Sequence, residues 1–200
     1  MKHRILALVS FACCLLCGTA LAAPKLLRDI PLKWTPTQGF SELGPLDVSG
    51  SLLTTKVHFE TFVDARSNPE SIAENREKAD ARPVTTKDNV ADFVTLHLRE
   101  SVHGAGVTTV DEAGDVSISG EIRQFFVTET NLYHGDLSLL VHVKNSQGKE
   151  IWSGIIPGGA EHFGRSYKAD NYYETMSDMV MRAAYNLLAN ADFRAALQKH

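Results

Sequence analysis

The sequence predicts an α+β fold, a mixed and largely antiparallel twisted sheet of about four to five strands with two main helices packed on one face. Three features point there. Several segments between residues 54 and 163 alternate apolar and polar residues with a period of two, and two longer segments repeat apolar residues at helical spacing. Their order is strand, helix, a meander of strands, helix, which suits helices covering one side of a twisted sheet. An extended N-terminal arm, dense in chain breakers, precedes this domain.

The chain opens with Met1-Lys2-His3-Arg4, an apolar run over residues 5–16 and Ala20-Leu21-Ala22, the layout of a cleavable secretory signal with cleavage near Ala22 or Ala23. A periplasmic or secreted location is the consequence. All three cysteines, Cys13, Cys14 and Cys17, fall inside this leader. The exported chain therefore has no thiol for disulfides, nucleophilic catalysis or metal binding. No lipobox stands before a suitable cysteine, so lipoprotein anchoring is not expected. Without Lys2 and Arg4 the 20 basic residues become 18 against 24 acidic ones, a formal charge of −6. That balance excludes a nucleic-acid binder. No later stretch is apolar enough to span a bilayer.

Three segments are expected: the signal peptide (1–22), the arm (23–51) and a single α+β domain (52–200). The arm carries Pro24, Pro31, Pro36 and Pro45 with Gly39, Gly44 and Gly50, too many breakers for long regular elements. Trp34, Phe40 and Leu43 give it apolar surface to bury on the domain or on a partner. A first strand follows at residues 54–64, where Val57, Phe59 and Val63 alternate with Lys56, His58 and Glu60. Residues 65–83 read as a long polar loop. Thr85 or Thr86 can cap a helix over residues 88–103, whose Val90, Phe93, Val94, Leu98 and Val102 share one side. A short strand at 107–110, a longer one at 116–128 and a hairpin of 137–143 with 149–156 complete the sheet. Gly158-Gly159 leads to a strand-like tail, with a bulge expected at the end of the hairpin. The last large helix has Asn171 and Glu174 spaced as a capping box and Tyr172, Met176, Met179, Val180, Ala183 and Leu187 in register. A short helix over 192–198 closes the chain.

Catalytic motifs are weak. Seven histidines follow the leader, yet no H-x-H or H-E-x-x-H exists, and His58 with Glu60 offers two ligands at most. No serine lies in a G-x-S-x-G context. Neither metal nor other cofactor is expected, nor an enzyme. Two polar loops stand out. Asp64, Arg66 and Arg76 lie in a charged stretch where an arginine can hold a carboxylate and order the loop. Arg165, Tyr167 and Lys168 lie in an aromatic and cationic loop before the last helix, a composition suited to partner contact.

The D-x-R of Asp64 and Arg66 after the first strand, the helix after Thr86, Ile118-Ser119-Gly120-Glu121-Ile122, Trp152 in the hairpin and the terminal Phe193 to Leu197 together resemble the YajG-like family of bacterial envelope lipoproteins. The resemblance spans residues 52–197. It implies a fold similar to the N-terminal domain of TolB, a non-enzymatic role and an outer-membrane-associated envelope protein as partner; this chain departs from the family by its missing lipobox. An accessory or adaptor protein is thus the leading expectation. The competing ones are a small-ligand or polysaccharide-binding module with Trp34, Tyr133, Tyr167 and Tyr172 as aromatic platforms, and a metal-dependent hydrolase using His58, Glu60 and another histidine. Open sheet edges leave homo-oligomers or strand addition within reach.

Overall fold

The computed structural model describes residues 26–198. The leader and its cysteines lie outside the described residues. In chain order the elements are α1 (Phe40–Leu43), α2 (Ser51–Thr54), β1 (Val57–Phe59), β2 (Val63–Asp64), β3 (Ser71–Asn75), β4 (Arg82–Thr85), α3 (Val90–Gly104), β5 (Thr109–Val110), β6 (Val116–Glu129), β7 (Tyr133–Asn145), β8 (Glu150–His162), α4 (Ala169–Ala189) and α5 (Ala191–Leu197).

The eight strands form one mixed sheet. Strands β6, β7 and β8 make a long antiparallel meander. Along the other edge of β6, three short strands pair with it in parallel one after another: β1 at Val116, β2 at Glu121 and β3 at Val127. β5 and β4 then flank β1 and β3. Laterally the sheet is five columns wide, which reconciles the expected four to five strands with the eight observed.

The expected first strand is split, because the amide of Phe62 leaves the ladder to donate to Thr95 Oγ1 on α3 at 2.9 Å, and the Phe62 ring goes into the core. The expected loop 65–83 contains the β3–β4 hairpin. Its strands escape a period-two reading because Ile72 and Ala73 are buried side by side across a register irregularity and Asn75 is buried as well.

Helix α3 buries the predicted stripe Val90, Phe93, Val94, Leu98 and Val102. Its cap is Asn89, whose Oδ1 accepts from the amides of Ala91 and Asp92, rather than either threonine. Thr86 instead accepts from the Asp88 amide one turn earlier. Helix α4 buries Tyr172, Met176, Met179, Val180, Ala183 and Leu187, as its periodicity requires. The capping box at Asn171 does not form, since α4 begins two residues earlier and Asn171 Nδ2 donates to the Arg165 carbonyl at 2.7 Å.

Helices α3 and α4 lie on the same side of the sheet. Phe93 of α3 meets Phe125 of β6 edge to face, with centroids 6.2 Å apart. α4 rests directly on β8: a Cβ at Gly158 would stand 2.2 Å from the Met179 carbonyl oxygen, so only glycine allows this approach. The bulge expected near this glycine pair lies elsewhere, between Val143 and Lys144, and the ladder through 154–159 is continuous.

The arm lies on its own domain. Ile30 donates to the Thr85 carbonyl and Thr85 to that of Leu27, extending β4 outward. Further on, the Thr35 amide donates to Ser177 Oγ and the Thr37 amide to Asp178 Oδ1, both on the buried face of α4. Trp34 stacks on His97 with centroids 4.2 Å apart.

Candidate functional site

The end of the sheet formed by β3, β4 and the last residues of β6 carries a buried carboxylate. Glu129 is 1% exposed. A carboxylate so placed needs hydrogen-bond donors to replace water. One oxygen accepts from the Tyr167 amide at 2.7 Å and the other from the Tyr172 hydroxyl. Burial, and then the hydrogen bond and charge of Glu129, push the Tyr172 phenol far above its ordinary value. Tyr133 crosses Tyr172 edge to face at 5.0 Å and donates to the Arg165 carbonyl at 2.6 Å.

Around this centre the 164–168 loop is bolted at several points. Arg165 O accepts from both Tyr133 and Asn171. Tyr167 adopts a left-handed backbone (φ 53°), which its amide bond to Glu129 helps to hold. Its hydroxyl accepts from the Leu27 amide of the arm at 2.9 Å, and the Arg82 guanidinium lies over its ring at 4.1 Å. Arg82 in turn donates to Asn75, and Ser166 bonds Glu77, so the arm, the β3–β4 hairpin and α4 all meet here.

The three residues singled out in this loop are therefore placed differently. Tyr167 is half-buried, with both its hydroxyl and its ring engaged inside the molecule. Arg165 and Lys168 have exposed side chains and no ion pair among the described residues. The result is a fixed backbone that presents two free cations.

Asp64 and Arg66 form a compact unit at the other end of the same hairpin, where β3 begins. Arg66 grips Asp64 with two side-chain bonds of 2.8 and 2.7 Å, and donates also to the carbonyls of Ser71, Phe125 and Pro69. Burial works to raise the Asp64 carboxyl, but the Arg66 hydrogen bonds and charge outweigh it and hold the group below its ordinary value. Arg76 is apart from this unit; its exposed guanidinium pairs with Glu74.

The proposed aromatic platforms do not share a surface. Tyr133 and Tyr172 are 1% and 0% exposed, and Trp34 packs on α3 while Tyr167 sits beneath Arg82. His58 points Nδ1 at the Val110 carbonyl, 3.4 Å away. Among the described residues no three histidine, aspartate or glutamate side chains converge as a metal site would require, and no helix is long and apolar enough to cross a membrane.

Glu129 escaped the sequence reading for a geometric reason. Val116, Ile118 and Ile122 face inward, and strict alternation would send residue 129 outward. A register irregularity between Ile122 and Gln124 leaves both Arg123 and Gln124 exposed and reverses the parity, so Phe125, Val127 and Glu129 face inward. The signal was two consecutive polar residues interrupting an alternating strand.

Comparison with protein-family models and with curated proteins gives no match. Among solved structures, a Xanthomonas campestris protein described under the family DUF330 superposes with a TM-score of 0.52 at 10% identity, over 81% of this chain and 89% of that one. A hypothetical protein from Chlamydia trachomatis gives a TM-score of 0.44 at 11% identity, covering 68% and 95% of the two chains. PelC of Paraburkholderia phytofirmans, described as a dodecamer, gives 0.39 at 9% identity over 70% and 94%. The first of these similarities identifies the architecture: this chain shares the fold of the Xanthomonas campestris protein.

Proposed function

We propose that the chain is a non-enzymatic accessory or adaptor protein of the bacterial cell envelope, related to the YajG-like lipoproteins but exported without a lipid anchor. It would recognise another envelope protein through the 164–168 loop. The observation that carries this reading is the contrast within that loop between an immobilised backbone and two exposed cationic side chains, Arg165 and Lys168, that make no hydrogen bond or ion pair among the described residues. Ordering the loop in advance removes an entropic cost of association, and free guanidinium and ammonium groups suit an acidic patch on the partner. The shared fold and the secretory leader are consistent with it.

Crosslinking in intact envelopes, followed by mass spectrometry, tests the reading. A dominant partner is expected with the native chain and should be lost in Arg165→Glu/Lys168→Glu, whose folding the exposed positions leave intact. A purified chain with reproducible turnover, abolished by one carboxylate or histidine substitution, would overturn it.

A further inference from the structure

Among the described residues strand β8 pairs with β7 alone, so its outer side is a boundary of the sheet. Boundary strands expose unpaired amides and are commonly blunted by proline or by covering groups. Both devices occur at one point. Pro157 has no N–H, and its carbonyl accepts from Asn186 Nδ2 of α4 at 2.8 Å, which shows that this carbonyl faces away from β7. The β7–β8 register is regular from Val143 to Tyr133. In an antiparallel ladder alternate residues direct both backbone groups to the same side. Gly159 and Glu161 therefore aim their N–H and C=O groups outward, as Pro157 does its carbonyl, and both residues are exposed among the described residues.

A cavity of about 700 Å³ opens at this stretch, lined by Gln38, His134, Asp136, Gly159, Glu161 and Arg182. A Cβ at Gly159 would meet only the Gly135 carbonyl, at 4.0 Å, so the space above it is open. Glu161 is taken up by His134 at 3.3 Å, whereas Arg182 on α4 has no carboxylate partner among the described residues.

We propose that this short open stretch of β8 is a strand-addition site for an extended peptide of a partner protein, with an acidic residue of the peptide paired to Arg182. Gly159 and Glu161 supply the ladder, Pro157 with Asn186 closes it at one end, and Arg182 selects charge. The inference rests on the adaptor reading for its biological partner. Its test does not, because it uses synthetic peptides.

The probes are the capped peptide Thr-Val-Glu-Val-Thr and its lysine counterpart Thr-Val-Lys-Val-Thr, added at millimolar concentration to the exported chain and followed by amide hydrogen exchange and NMR. In the free protein Gly159 and Glu161 should exchange fast while Gly158 and Ala160 are protected. The glutamate peptide should slow exchange at Gly159 and Glu161 at least about tenfold, as new ladder bonds would. Arg182→Glu should reverse the preference toward the lysine peptide, and Gly159→Pro should abolish binding of both. Should Gly159→Pro fail to fold, Arg182→Glu decides alone. Unchanged exchange at Gly159 and Glu161, or an unaltered peptide preference in Arg182→Glu, overturns the site.

Discussion

Two polar clusters hold the β3–β4 hairpin to the rest of the molecule, and they do so in different ways. At Asp64 and Arg66 the ion pair spans two residues, and the guanidinium also holds the carbonyls of Pro69 and Ser71 close by in the chain, reaching outside this stretch only to the Phe125 carbonyl on β6. At Glu129 the partners are Tyr167 and Tyr172, 38 and 43 residues distant, and the centre is almost wholly buried. The first cluster orders a loop. The second joins β6, the 164–168 loop, α4 and, through Tyr167, the arm. A cluster assembled wholly from distant segments should govern global stability, while one whose partners lie mostly within five residues of each other should govern local order.

The largest effect is expected at Glu129. In Glu129→Ala the Tyr172 hydroxyl and the Tyr167 amide lose their acceptors inside the protein, which costs about 3 kcal/mol. Urea unfolding should show the midpoint falling with the slope unchanged. A loss below about 1 kcal/mol would mean water enters and replaces the carboxylate, and the contrast with Arg66 would vanish. Arg66→Ala comes second, at about 2 kcal/mol, because it strands a half-buried carboxylate and frees three carbonyls of which some regain water. Its signature should be local: faster amide exchange over residues 69–75 than over β7.

The clusters should also fail at opposite ends of the pH scale. Asp64 is held below its ordinary value of 3.8, so its contribution is present above about pH 4 and is lost as pH falls through the lower folded value. Tyr172 is pushed above its ordinary value of 10.0, so its contribution is intact below about pH 10 and declines as pH rises beyond that, where only the unfolded chain ionises. Tyr172→Phe should cost about 2 kcal/mol at neutral pH, because it leaves the buried Glu129 carboxylate one donor short, and should make the alkaline limb of a stability profile shallower. Asp64→Asn should flatten the acid limb and leave the alkaline one unaltered.

What could be read in the sequence follows the same division between local and distant partners. The long strands β6, β7 and β8 and the buried stripes of α3 and α4 announce themselves because their periodicity is local. So does the D-x-R spacing of Asp64 and Arg66. The β3–β4 hairpin does not, since Ile72, Ala73 and Asn75 become inward-facing only by pairing with the far end of β6. Ser177 and Asp178 read as ordinary polar residues of a helix, yet they accept the arm's amides from a buried face. Glu129 is concealed by one irregularity in its strand. Asn171 shows the converse: its spacing to Glu174 is that of a capping box, but α4 begins at Ala169 and the Arg165 carbonyl, fixed by Tyr133, takes its side chain.

The smallest effect should come from Arg76, which shares the charged stretch of Asp64 and Arg66 but not their surroundings. Its guanidinium is 60% exposed and pairs only with Glu74. In water such a pair gains little, because solvent screens the attraction and two long side chains lose freedom. Arg76→Ala should change stability by less than about 0.5 kcal/mol at neutral pH, and the change should disappear in about 1 M salt. Thermal unfolding at low and high salt measures both. A loss as large as that of Arg66→Ala would show that the hairpin is held as one electrostatic unit, and the separation of a local clamp from a distant hub would have to be redrawn around Glu74 and the adjoining Arg76 amide, which donates to the Glu129 carbonyl at 2.7 Å.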